Sequence, residues 1–160
     1  MAELTPLDEK IAEVLGLAQA AQDATEKVAK LLEDEEPRQV LEQMNAEATE
    51  TRQRVEAALD EFEGKKTAIT EKARETKGEA TEMMKTYLSG DADELDGFEF
   101  LVMAEAGELG HWEIVREMNE HVGSQTIRGL TEFAIPVQQK HFEQAREWSL
   151  RLAREEVAAG

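Results

Sequence analysis

In this 160-residue chain the large apolar residues recur in steps of three and four over almost the whole length, and that period limits the fold more than any other feature. One stripe runs Leu7, Ile11, Val14, Leu15, Ala18, Ala21, Val28 and Leu31/Leu32. A second runs Val40/Leu41, Met44, Ala48, Thr51, Val55, Leu59 and Phe62, and stops at Gly64. Each is the one-sided pattern of an amphipathic helix. Thr5-Pro6 opens the first, with Thr as cap and Pro pre-set for the first turn. Pro37 follows the acidic cluster Glu33–Glu36 and cannot continue the helix before it. So short a connection makes the two helices an antiparallel hairpin.

The rest of the chain keeps the same period. Residues 65–86 carry a thinner apolar face (Ile69, Ala73, Ala80, Met83/Met84) interrupted by Gly78, and read as a crossover helix. Ser89-Gly90-Asp91 breaks the chain and caps the next element. Further stripes follow over 92–109, from 111 to 134 and over 137–156, with Gly110 and Ile135-Pro136 as the expected breaks. No Val/Ile/Thr run is bounded by turns, so no strand is expected, and no internal repeat is visible. The predicted fold is all-α: one domain, 1–160, built from a helix hairpin (1–64), a crossover helix (65–90) and a second helical half (91–160). Its helices fall near 6–34, 38–63, 66–88, 92–109, 111–134 and 137–156, packed as an antiparallel bundle with an additional C-terminal helix.

Composition removes several function classes. The chain has no cysteine, which rules out disulfides, thiolate metal sites, iron–sulfur clusters and a cysteine nucleophile, and fits a reducing compartment. With 36 acidic and 18 basic residues the net charge is −18, which repels nucleic acid and anionic membranes. Much of that acidity is helix-forming Glu: 29 of the 36 acids are Glu and 7 are Asp. No secretory signal is visible, and no apolar run approaches the roughly 18 residues that a membrane span needs. A cytoplasmic protein is expected. The charge-neutral stretch 137–156, with four Glu against one Lys and three Arg, suggests a helix free to dock, and hence a homodimer.

Polar groups on an apolar stripe are the candidates for chemistry, because burying them is unfavourable unless they are paired or ligated. Glu47 sits at the edge of the second stripe with Glu50 one turn on. Glu105 lies between Leu101/Val102 and Leu109, and His121 follows Met118. Gln22, Gln125 and His141 occupy comparable inward places. Carboxylates and imidazoles converging from several helices build di-iron and di-manganese centres. The local spacings include Glu108-x-x-His111, Gln138-x-x-His141 and Glu117-x-x-x-His121, though Gly110 is expected to end the helix within the first of these. Against this stands the plainer possibility that the histidines are bundle-edge residues bonded to nearby Glu. Ser89, Ser124 and Ser149 sit on no shaped turn that would present a nucleophile, and there is no glycine-rich phosphate loop. Trp112 and Trp148 read as packing anchors.

The run Glu47-Ala-Thr-Glu50-Thr51 followed by Val55, Leu59 and Phe62, and the run from Phe98-Glu99 through Ala104–Gly110, resemble two motifs of the bacterial stress-associated ferritin-like proteins. The resemblance covers about residues 10–135. It implies a five-helix ferritin-like bundle, often dimeric, with a dinuclear metal site. If a metal binds, iron or manganese, it is expected between helices two, four and five, with Glu47, Glu50, Glu105 and His121 as candidate ligands because they lie on or beside apolar stripes; His121 is not a family position, and Glu99 is the family-position alternative. Gln22 stands where the family has a Glu on helix one, and Ser124 and Gln125 stand where it has paired Glu residues. An amide brings no charge to offset a metal. Three functions follow as expectations: a metal-binding protein with an oxidase, peroxide-handling or iron-handling role; the same bundle with a degenerate site, acting as a scaffold or interaction module; and an amphipathic protective stress protein. In the degenerate case Gln22 and Gln125 are expected to bond the carboxylates in place of a metal.

Overall fold

A computed structural model describes residues 2–160, and among the described residues every regular element is helical. The order is α1 (Pro6–Ala29), α2 (Glu35–Ala58) with a 3-10 turn at Leu59–Glu61, α3 (Lys66–Tyr87), α4 (Glu94–Val122) and α5 (Gln125–Ala159). No helix among the described residues is long and apolar enough to cross a membrane.

The helix starts follow local chemistry. The Thr5 hydroxyl accepts from the Asp8 N–H at 3.2 Å, and the Asp8 carboxylate accepts from the Thr5 N–H at 2.8 Å. This reciprocal cap satisfies two otherwise orphaned donors. Asp93 and Asp96 do the same at the start of α4, so the cap is Asp93 and not the expected Ser89–Asp91. Pro37 falls in the first turn of α2, where its missing N–H has no intrahelical acceptor to lose.

The expected six helices are five. α4 runs through Gly107 and Gly110, joining 92–109 to the segment that follows. An interior glycine costs about 1 kcal/mol relative to Ala. Gly107 and Gly110 lie away from the core, and the buried stripe resumes beyond them at Trp112 and Val115. α5 likewise runs through Pro136. The carbonyl that proline leaves unpartnered belongs to Glu132, and both residues are exposed, so water can satisfy it. The segment 137–156 is therefore no free helix but the second half of α5, burying Gln138, His141 and Ala145. The true break is at Gly123, whose φ of +73° glycine adopts without strain. Asn119 clasps the turn, donating to the Ser124 carbonyl at 2.9 Å and accepting from the Ser124 N–H at 3.0 Å.

Four helices close a ring in the order α1, α2, α5, α4, and α3 lies outside against α1. Residues near the end of α1 (Val28, Leu31) meet Gly97 at the start of α4, and the start of α1 shares a hollow with Met118 and Val122 at the end of α4. These two helices are thus antiparallel. α5 begins beside the end of α2, where the Thr126 hydroxyl donates to Glu61 at 3.0 Å, and it reaches Phe98 with Trp148 at the other end. The ring therefore runs up, down, down and up for α1, α2, α4 and α5, with α3 as the crossover. Gly16 lets α3 approach: a β-carbon there would collide with the Ala73 carbonyl oxygen.

Two apolar clusters fill the ring. One, at the start of α1, gathers Leu7, Ile11, Leu15, Val55, Trp112, Val115 and Ile127. The other, at the far end, gathers Val28, Leu41, Met44, Phe98, Leu101 and Ala145. What lies between them is polar.

Candidate functional site

The middle layer is built by side chains spaced one helical turn apart, which places them on a common face. α2 contributes Glu47, on the flank of the buried line Met44, Ala48, Thr51 and Val55. α4 contributes Glu105 and Glu108, between Leu101 and Trp112. α5 contributes Gln138 and His141, continuing the line of Ile127, Leu130 and Ala134. Glu105, Gln138 and His141 are each 1% exposed and Glu108 is 4% exposed.

These groups form one chain of contacts. Lys140 Nζ donates to Glu47 Oε2 at 2.6 Å. Glu47 Oε1 lies 3.3 Å from His141 Nε2, and the other ring nitrogen, Nδ1, lies 3.7 Å from Glu105 Oε2. The Gln138 amide then donates to two carboxyl groups at once, Glu105 Oε2 at 3.1 Å and Glu108 Oε2 at 2.7 Å. An imidazole and an amide thus link three carboxyl groups from two helices.

The two ends of this chain are tuned in opposite directions. Burial pushes the Glu47 carboxyl up, but hydrogen bonds from Lys140 and His141, and their charge, outweigh it and leave Glu47 below its ordinary pKa. Glu108 is pushed well above its ordinary pKa, first by burial and then by the nearby Glu105 carboxyl, with the Gln138 hydrogen bond opposing. Glu108 therefore keeps a proton in a range where an exposed Glu has lost it. The layer can hold a proton at its inner end and a fixed negative charge at its outer end.

Of the residues singled out from sequence, Glu47 and Glu105 are brought together through His141. Glu50, Glu99 and His121 are not. Three residues turn a helix by about 300°, so Glu50 sits a further ~60° from the buried line than Glu47, and it is exposed and paired with Arg54 at 2.9 Å. Glu99 follows the buried Phe98 by one position, about 100° round the helix, and is exposed. His121 lies two positions beyond the buried Asn119 and faces outward. The amide in contact with the carboxylates is Gln138, not Gln22 or Gln125. Gln22 donates to the Thr49 hydroxyl at 2.8 Å, and Gln125 is exposed at the start of α5. His141 lies inward as expected, and reading the α5 stripe straight through Pro136 would have placed Gln138 inside beside it.

The fourth corner of the ring carries no ligand. At this level α1 presents Ala21 and Ala24 beside Glu105 and Glu108. No group of three or more His, Asp or Glu side chains among the described residues is arranged to hold a metal ion. Comparison of the chain with protein-family models, curated proteins and solved structures returns no match.

Proposed function

We propose that the protein is a ferritin-like bundle of the stress-associated kind whose dinuclear site is degenerate, and that it acts as a metal-free scaffold. Two features support the ferritin-like part. The up, down, down, up ring with a single crossover is the connectivity of that class. The i, i+3 pairs also fall on two helices of the ring, as Glu-x-x-His pairs do in di-iron proteins, with Glu105-x-x-Glu108 on α4 and Gln138-x-x-His141 on α5.

The observation that carries the metal-free part is the Gln138 amide, whose N–H groups occupy one oxygen each of Glu105 and Glu108. In a dinuclear centre those lone pairs face cations. The donor set also falls short of two divalent ions: three carboxyl groups, one already neutralised by Lys140, one imidazole and, on α1, only methyl groups. A neutral polar network satisfies the same buried groups without a metal. No catalytic residue is assigned.

Elemental analysis of protein purified without chelator tests this reading. The expected content is well below one ion per chain, with no change in melting temperature on adding Mn²⁺ or Fe²⁺. Two ions per chain would replace the scaffold reading with the metal-binding one.

A further inference from the structure

Between α1, α3 and α4 lies a cavity of about 240 Å³. Its walls are small residues, Ala20, Ala21, Ala24, Ala80 and Ala104, so the backbones leave room that no side chain fills. Phe100 and Met84 add larger apolar surface, and Met83 and Met103, 55% and 43% exposed, stand at the side open to solvent. Such walls suit a hydrocarbon, and thioethers at the edge of an aromatic ring make favourable contacts.

The inner wall contradicts a purely apolar occupant, because Glu105 and Glu108 both line the cavity. Each uses its Oε2 to accept from Gln138, and among the described residues neither Oε1 has a hydrogen-bond partner. Neither of these oxygens is sealed in protein: among the described residues, the fully enclosed side-chain oxygen or nitrogen without a partner is Gln144 Oε1. They therefore touch open space, and both residues line this cavity. A carboxylate oxygen on Glu105 and a carboxyl group on Glu108 facing an apolar chamber are unfavourable unless a polar group meets them. An anion is excluded there by like charge. A hydrocarbon would fill the volume and leave both oxygens unmet.

We propose that this cavity is a binding site for a small arylalkyl ammonium ion, its ring among the alanines and methionines and its N–H donors on Glu105 Oε1 and Glu108 Oε1, with the Glu108 carboxyl releasing its proton to solvent as the ammonium binds. A 150 Å³ apolar cavity holds benzene, so 240 Å³ takes about ten non-hydrogen atoms by proportion. That is the size of 2-phenylethylammonium. The inference rests on the metal-free reading, since ions on Glu105 and Glu108 would take the same oxygens.

The test titrates 2-phenylethylammonium into full-length protein of measured metal content, followed by calorimetry and by NMR. Its neutral isostere propylbenzene and its anionic analogue 3-phenylpropanoate are run alongside. Saturable 1:1 binding of the ammonium is expected, with ring-proton contacts to the Met83 and Met103 methyl groups. The neutral isostere should bind at least tenfold more weakly and the anion not measurably. Replacing Ala20→Leu, which fills the chamber, should abolish binding, and the double change Glu105→Gln, Glu108→Gln should weaken it at least tenfold. Should Ala20→Leu fail to fold, the NMR contacts in the unaltered protein decide the location. No ammonium binding to metal-free protein overturns the proposal, as does equal binding of propylbenzene. Ammonium binding that Mn²⁺ displaces stoichiometrically supports the cavity assignment and overturns the metal-free reading alone.

Discussion

The ends of the four-helix ring and its middle are made from the same helices but closed by opposite means. At the ends Trp112 and Phe98, both essentially inaccessible, anchor apolar clusters in which any side chain of similar shape could substitute. In the middle Glu47, Glu105, Glu108, Gln138 and His141 meet at fixed donor–acceptor distances, so each depends on the identity of its neighbour. The ends gain from burying apolar area, at roughly 25 cal/mol per Å². The middle gains little net free energy from each hydrogen bond, yet losing one partner there leaves a buried polar group unmet. The ends therefore supply stability, and the middle sets the register in which α2, α4 and α5 face one another.

Substitutions at the two regions should separate these roles. Trp112→Ala, at an end, should be the most damaging, lowering stability by about 3–5 kcal/mol in equilibrium urea unfolding. A loss under about 1 kcal/mol would mean that the end cluster collapses onto the space or is not packed as described. Gln138→Leu keeps the volume of the middle layer and removes only the amide. It should cost about 2–3 kcal/mol, because Glu105 and Glu108 lose their shared donor. Equal stability with and without the amide would show that these carboxyl groups are satisfied in another way.

Glycines give a smaller contrast of the same kind. Gly16→Ala forces a β-carbon onto the α3 backbone and should cost about 1–3 kcal/mol. Gly110→Ala, with no atom within 4 Å of the added carbon, should instead stabilise α4 by about 0.5–1 kcal/mol. If both changes act alike, α3 does not pack against α1 as closely as described.

The pH dependence of stability should show both ends of the polar chain. Glu47, whose folded pKa is lowered, adds stability above its ordinary 4.5 that is lost as pH falls through the folded value. Glu108, whose folded pKa is raised, does the reverse: its contribution is full below the ordinary 4.5 and is lost as pH rises through the folded value. Glu108→Gln should therefore flatten the decline in stability above pH 4.5 and leave the acid limb intact, whereas Glu47→Gln should soften the acid limb. Urea midpoints measured on both sides of pH 4.5 check both, and an unchanged decline above pH 4.5 in Glu108→Gln would contradict the shift.

How much of this was legible depended on whether a local signal and the tertiary context agreed. The helices and the α1–α2 hairpin follow from stripes such as Leu7, Ile11 and Leu15, where the pattern and the packing point the same way. Glu105 was legible for that reason too, since it sits in the middle of its stripe. The breaks at Gly110 and Pro136 were misread because local propensity favours ending a helix there, whereas packing on both sides of each residue carries it through. That misreading hid the middle layer. With α5 cut at Pro136, Gln138 and His141 lay in a separate helix, and with α4 cut at Gly110 the buried Asn119 and the exposed His121 could not be phased against Glu105. The Lys140–Glu47 pair, 93 residues apart in sequence, has no local signal at all.

The central claim is that Gln138, and not a pair of metal ions, holds the inner carboxyl groups, and thermal unfolding of Glu105→Gln tests it most directly. The unaltered protein and the variant should be compared with and without added Mn²⁺, with metal content measured on the same samples. Without a metal, the change removes a buried acid and leaves the melting temperature unchanged or higher, with no response to Mn²⁺ in either protein. A melting temperature lowered by several degrees together with the release of bound metal would contradict the claim.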